Sequence, residues 1–471
     1  MAATLVDERS PPRFVRLQAF RRREYCSGII SGFAFVWIRT RTMPDGSASA
    51  HLYLPKLYTT LAEGYGLASF RKDALAGLTV AIVALPLSMA IGVASGVPPE
   101  RALYAAIIGG FLVSVLGGSR FQIGGPAGAF IVLVAATASQ HGLDGLLLAV
   151  LMSGIFLVLV GLSGLGTLIR YIPHPVTVGF TCGIAVTILA SQLRDLAGLS
   201  LSDTEPSHLF PKLAALAGAL PTLNPSALAL GLGSTALIFA LRLWRPAWPA
   251  MLIAVAAASL AAALLHLPVE TIGSRFGGLP SGLPWPQLPS VSWSRLIEIL
   301  PTALSFTLLG GIESLLSAKI ADGMTRRKHR SNMELLAQGV GNVASALFGG
   351  ISVTGTIART ATNIRAGAVS PVSGILHSAF LLGFLVVAAP LANAIPLAAL
   401  AGLLVVVCWN MAEKEEFARL LHHWPMATVL LITFGLTLVF DLTVGIVAGC
   451  LAAAALALLG MASEPESSDW E

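Results

Sequence analysis

From Asp73 to Ala462 the sequence is a train of apolar segments, and that pattern closes off most folds. At about 20 residues per crossing, the segments fall at residues 74–95, 101–117, 126–139, 144–165, 175–193, 226–242, 247–265, 296–320, 332–348, 356–366, 371–390, 396–411, 425–440 and 442–462. Inside a bilayer no water is at hand, so each backbone N–H and C=O must be paired within its own segment, as in a helix. The expected fold is an all-α polytopic membrane protein with 14 transmembrane segments. Composition agrees: 55% of residues are hydrophobic and 11% charged, about half the charge of a soluble domain. The 47 glycines suit helices that approach closely in lipid. A net charge of +5 is accounted for by basic loops beside the membrane and calls for no nucleic-acid partner.

Two segments, 126–139 and 356–366, are too short to cross. Eleven residues of helix reach about 16 Å, roughly half the hydrocarbon core. Each follows a Gly-Gly pair, Gly117-Gly118 or Gly349-Gly350, and a short alternating piece, so short strands are expected before half-helices 3 and 10. A half-helix that starts at mid-membrane presents unpaired N–H groups and about half a positive charge. Pro126 suits the first helical position, and Ala127, Gly128 and Ala129 offer their N–H groups with little side chain in the way. Thr356, Ile357 and Ala358 do the same in the second half, with Arg359 just beyond. Two helix ends and one arginine sum to roughly +2 far from water, which calls for an anion.

Seven segments precede the long loop and seven follow it. Seven is odd, so the second set lies inverted in the membrane, and interrupted segments at matching positions of inverted halves point to a transporter's binding site. This divides the chain into an N-terminal cytoplasmic tail (1–70), a first inverted repeat (71–265), an extracellular linker (266–292), a second repeat (293–462) and a short acidic cytoplasmic tail (463–471). With both ends cytoplasmic, the inside collects Arg170, Arg242, Arg245, Lys319, Arg326, Arg327, Lys328, Arg330, Lys414 and Arg419, while the outside holds Arg101, Arg194, Arg275 and Arg295. The positive-inside rule selects that orientation, in the cell inner (plasma) membrane. In the tail, the apolar run Ile29 to Ile38 is too short to span and reads as an interfacial anchor, or as sequence ahead of a start at Met43.

Glu313 is the other costly residue at membrane depth. Three roles are open to it: an ion pair with Arg359, a proton-coupling carboxylate, or a sodium ligand together with Ser317, one turn on. Asn363 and His377 read as interhelical hydrogen-bonding groups, residues Asp322 to Arg330 as a solvated loop, and Trp244, Trp248 and Trp285 as interfacial. The four cysteines have no disulfide or metal spacing, so no metal and no cofactor is expected.

At these residues the chain resembles the sulfate permease family of anion transporters. The matching stretches are DALAGLTVAIVALPLSMAIGVASGVPPERALYAA, LGGSRFQIGGPAGAF, GGIESLLSAKIADGMTRRKH and ELLAQGVGNVASALFGGISVTGTIARTATNIRAGA. The resemblance implies a core domain of segments one to four and eight to eleven, a gate domain of the rest, an elevator-like movement between them, and a homodimer. It places the anion site on Leu87, Ile91, Ala127, Ala358 and Arg359, to which the half-helix argument adds Gly128. Many relatives carry Gln and an aromatic residue where this chain has Leu87 and Ile91. Plant sulfate–proton symporters look similar at Glu313 and Arg359; cyanobacterial sodium–bicarbonate transporters have Asp and Thr in place of Glu313 and Ser317. Family members typically end in a soluble STAS domain, for which the sequence after residue 462 leaves no room.

The function expected is secondary active transport of a small inorganic anion, sulfate first and bicarbonate next. The coupling ion is a proton or sodium, and membrane lipid is the surrounding partner. A dicarboxylate is a further candidate substrate. A nucleobase transporter of the same architecture would need an acid on the tenth segment, where Arg359 stands instead. An anion channel is separable by uptake against a gradient. No GxSxG or HExxH motif supports an enzyme.

Overall fold

A computed structural model describes residues 53–166, 173–201, 206, 208–246, 248–440 and 442–459. The expected anchor at Ile29 to Ile38, the start at Met43, Arg170 and the acidic tail lie outside the described residues. Every apolar segment falls on a helix. The first half comprises α1 (Lys56–Ala62), α2 (Leu67–Ala94), α3 (Pro99–Leu116), α4 (Gly128–Leu162), α5 (His174–Ala197), α6 (Leu209–Gly218), α7 (Pro225–Trp244) and α8 (Ala250–Leu264). A one-turn helix, α9 (Ile272–Phe276), lies in the linker. The second half comprises α10 (Trp293–Thr325), α11 (Ser331–Leu347), α12 (Ile357–Arg365), α13 (Val372–Ala392), α14 (Leu397–Met411), α15 (Lys414–Leu421), α16 (Trp424–Val439) and α17 (Leu442–Leu458).

Two boundaries differ from the sequence reading. Helix α2 begins at Leu67, inside what was expected to be tail. Segments three and four are two helices, as expected: within α4 the helical path breaks at Gly142 (φ 69°, ψ −180°), a conformation open to glycine. Among the described residues, eight helices are long and apolar enough to cross a membrane by themselves. Finally, α10 runs on to Thr325, so most of the expected solvated loop is helix or is held: His329 pairs with Asp322 at 2.6 Å, and buried Arg330 donates to the Leu54 carbonyl.

The helices pack in two groups. One holds α2, α3, α4, α10, α11, α12 and α13; the other holds α5, α7, α8, α14, α16 and α17; they meet where α2 lies against α14 and α8. Small residues set the spacing within each group. A Cβ at Gly154 of α4 would sit 2.7 Å from the Gly339 carbonyl oxygen of α11, and one at Gly339 would sit 2.6 Å from that of Gly154. In the other group, a Cβ at Gly402 of α14 would fall 2.4 Å from the Gly231 oxygen of α7. Backbones this close gain dispersion contacts that larger side chains would forbid. Large apolar side chains including Phe111, Leu159, Leu232, Leu243 and Val387 face outward, as a lipid-facing surface requires, and Trp244, Trp248 and Trp285 are exposed among them.

Two two-residue strands cross inside the first group. β1 (Gly124–Gly125) pairs antiparallel with β2 (Thr354–Gly355), in the register Gly124 to Gly355 and Gly125 to Thr354. These are the short strands expected ahead of the half-helices. Beside them α3 carries a π-helical turn, Ala105–Gly109. Such turns displace a carbonyl from the helical ladder; here the Ala106 carbonyl accepts from Ser378 Oγ of α13 at 3.4 Å.

Candidate anion site

The strand crossing fixes where the two half-helices begin. Ala127 caps α4 in extended conformation (φ −118°, ψ 148°), and Thr356 caps α12 likewise (φ −96°, ψ 123°). Neither helix start has a side-chain cap, so its leading N–H groups have no partner within the helix. The starts are stitched together: Thr356 N and Oγ1 both donate to the Ile123 carbonyl, at 3.1 and 3.2 Å, and Ile123 N donates to Thr360 Oγ1 at 3.1 Å.

Arg359 closes this junction. It is 2% exposed, and its Nη2 donates to Ser88 Oγ of α2 at 3.1 Å and to the Pro126 carbonyl at 3.2 Å. The guanidinium from the second half therefore lies on the strand of the first. Glycine makes this possible, because a Cβ at Gly125 would fall 2.1 Å from Arg359 Nη1. Nε and Nη1 of Arg359 are buried with no hydrogen-bond partner. The structure thus brings Pro126, Ala127, Gly128 and Arg359 to one place.

The remaining expected residues distribute as follows. Leu87 and Ile91 flank Ser88 on α2 and belong to the buried apolar cluster that includes Ala127, Phe130 and Ile188. Gly128 is half-buried, and a Cβ there would meet nothing nearer than Ile188 of α5 and Met411 of α14, both at 3.9 Å. Ala358 is exposed. Space therefore reaches the start of α12, and little side chain fills the gap between Gly128 and the second helix group. Glu313 is half-buried on α10, with Oε2 buried and unpartnered. It lies within reach of the Arg359 charge, yet among the described residues no ion pair joins them. Ser317 is fully buried, and its hydroxyl donates to Thr360 Oγ1 of α12 at 3.3 Å.

Several residues that hold the junction were not singled out from the sequence. Ser314 Oγ bonds Thr354 Oγ1 at 2.7 Å and accepts from Gly355 N at 3.2 Å, while its carbonyl accepts from Gln122 Nε2 at 3.1 Å. On α11, Glu334 accepts from Gly118 N and Ser119 N at 2.8 and 3.0 Å and from Gln338 Nε2 at 3.0 Å. Asn342 pairs with both backbone groups of Val353, at 2.7 and 2.9 Å. The signal was available: Glu334, Gln338 and Asn342 recur every four residues, a polar stripe along one face of an apolar helix. Asp73, fully buried at the other end of the group, accepts from Val369 N, Ser370 N and Ser370 Oγ and from Tyr65 OH. It ties the loop after α12 to the start of α2. Asn363 does bond between elements, to the Phe121 carbonyl and Ser373 Oγ, each at 2.9 Å. His377 does not: its ring is fully buried and neither nitrogen has a partner.

Two half-helices that start at a shared buried arginine are an arrangement suited to a transporter whose substrate is an anion. The comparisons with known proteins narrow that class. The profile of the Sulfate permease family matches residues 70–434, and the chain belongs to that family. It is 43% identical over 394 residues to the "Putative sulfate transporter YvdB" of Bacillus subtilis, covering 83% of this chain and 74% of that one. It is 32% identical over 408 residues to the bicarbonate transporter BicA of a Picosynechococcus species, covering 84% and 71%. The solved transmembrane domain of a cyanobacterial BicA superposes with a TM-score of 0.73 at 29% identity, over 83% of this chain and 98% of that one. The murine anion transporter Slc26a9, solved in the inward-facing state, shares the fold with a TM-score of 0.79 at 17% identity, over 89% and 73%. The protein is a sulfate permease family anion transporter and not an enzyme.

Proposed function

We propose that this transporter carries sulfate by secondary active transport, holding it at the starts of α4 and α12 against Arg359. The observation that carries this reading is a buried guanidinium with unpartnered Nε and Nη1 and, among the described residues, no acid in an ion pair with it. A charge left so at membrane depth is costly, and a bound anion supplies the missing partner with charge-assisted hydrogen bonds. With two helix ends the local charge is roughly +2, enough for a dianion, and an ionised Glu313 would lower it to roughly +1. On this reading Glu313 takes up a proton when the anion binds, so transport is proton symport. Ser317 serves α12 packing through Thr360 and is less available as a sodium ligand. Bicarbonate is the second reading, favoured by the similarity to BicA over 84% of the chain.

The helix group containing α4 and α12 moves as the core and the other group serves as the gate, in the plasma membrane, with the basic loops on the cytoplasmic side. Homodimerisation is part of the same proposal. The test is uptake into liposomes by purified protein, comparing labelled sulfate, bicarbonate and fumarate under an imposed proton or sodium gradient. Sulfate accumulation driven by protons is the expected result. Sodium-driven bicarbonate uptake without sulfate uptake would replace it with the second reading.

A further inference from the structure

The residues ahead of the first long helix form a strap across one end of the helix group that holds α3 and α11. Helix α1 has seven residues, too few to persist on its own, and tertiary bonds hold it at both ends. Lys56 N donates to the Gly117 carbonyl at 2.9 Å, and Arg330 N donates to the next carbonyl, that of Gly118, at 3.0 Å. Arg330 also donates from Nη1 to the Leu54 carbonyl, Glu63 pairs with Arg120, and Tyr65 OH donates to Asp73 Oδ2 of α2 at 2.8 Å. The strap, the turn after α3 and the loop between α10 and α11 are therefore one bonded unit.

One face of α1 is left uncovered. Thr60 is buried, whereas Tyr58 and Leu61, one turn apart, are 64% and 48% exposed, and Ala62 beside them is exposed too. Four residues separate α1 from α2, whose first turn adds exposed Leu67 and Phe70. Since α2 is long and apolar enough to cross a membrane, a helix tied to its start lies at the membrane edge. Five exposed cations flank this face: Arg71 and Lys72 follow Phe70 directly, and Arg326, Arg327 and Lys328 lead into Arg330. None of the five is in an ion pair among the described residues, and the two acids nearby, Glu63 and Asp322, are already paired with Arg120 and His329.

We propose that α1 is an interfacial helix that lies on an anionic lipid surface, with Tyr58 and Leu61 in the headgroup–acyl boundary and the five cations on lipid phosphates. An apolar helix face beside unpaired cations is the combination that binds an anionic bilayer. A soluble anion would meet the cations and leave Tyr58 and Leu61 in water. In the orientation proposed above, the surface is that of the cytoplasmic leaflet. Because the strap is bonded to Gly117 and to α2, lipid held there is held to the helix group that carries Arg359.

The test uses the full chain in liposomes, its four native cysteines replaced by alanine and one fluorophore attached through Leu61→Cys, with Tyr58→Cys as a second position. The vesicles are phosphatidylcholine alone or an equal mixture with phosphatidylglycerol, with or without bromine on the acyl chains. With phosphatidylglycerol present, bromine should quench the label and dissolved acrylamide should not. Arg326→Gln, Arg327→Gln and Lys328→Gln together should cut the bromine quenching several-fold, toward its value in phosphatidylcholine alone, with Tm unchanged. Added salt should do the same to the parent chain by screening the charges. A label open to acrylamide in every vesicle would overturn the proposal, as would bromine quenching indifferent to phosphatidylglycerol and to the three cations. A label shielded from acrylamide yet untouched by bromine would also overturn it, giving the face to a protein occupant, either residues 1–52 or a second copy of the chain.

Discussion

Of the five N–H donors on Arg359, those of Nη2 go to Ser88 and Pro126, while those of Nε and Nη1 have no protein acceptor. The position of this side chain depends on a residue that does nothing chemical. Gly125 lies under the guanidinium, and Gly125→Ala would place a methyl 2.1 Å from Nη1, which must then move. We expect Gly125→Ala to raise the anion KM by about tenfold or more, corresponding to about 1.4 kcal/mol, while the protein still folds; transport assays beside a thermal melt check this. Glu313 makes a separate prediction. Glu313→Gln fixes the carboxyl position in a neutral form, so uptake should lose its pH dependence while anion binding persists. A pH profile indistinguishable from the parent's would remove Glu313 from coupling.

At the scale of elements, the junction is held by α11 more than by the strands themselves. Asn342 gives Val353 both hydrogen bonds that a neighbouring strand would have given, and Glu334 caps the Gly118–Ser119 turn below it. Asn342→Leu leaves the Val353 N–H and C=O buried without partners, at about 1–3 kcal/mol each. A Tm several degrees lower, with transport lost at temperatures where the fold persists, is the expected outcome in a melt read beside uptake. The helices and both half-helices were legible in the sequence because the bilayer dictates segment length and leaves a short, interrupted, charged segment no ordinary place. The braces were harder to see. Ser88 with Arg359, Gln122 with Ser314, and Asp73 with Ser370 join positions far apart in the chain, and no local period announces such contacts. The stripe on α11 was the exception, visible as a four-residue repeat of polar side chains. His377 shows the reverse error: a polar residue in an apolar helix suggests an interhelical bond, yet neither ring nitrogen has a hydrogen-bond partner.

At the scale of the molecule, the two helix groups carry different parts of the account. Both hydrogen-bond partners of Arg359 among the described residues belong to one group, and Gly128 faces Ile188 and Met411 of the other. If the first group slides past the second, a bifunctional thiol reagent bridging cysteines at positions 305 and 443, where α10 and α17 touch through Ser305 and Thr443 at 2.8 Å, should stop uptake while leaving anion binding intact. A reagent spanning positions 153 and 307, whose hydroxyls lie 3.3 Å apart within the first group, should leave uptake unchanged. Full transport in the 305–443 cross-linked protein would exclude relative motion of the groups. The central claim remains narrower than any of this: two half-helix starts and one arginine form the anion site. Calorimetric titration of sulfate and bicarbonate into purified parent and Arg359→Ala protein, with Tm matched, tests it directly. The account predicts that the binding heat disappears in Arg359→Ala while the melt persists; an affinity equal to the parent's would contradict it.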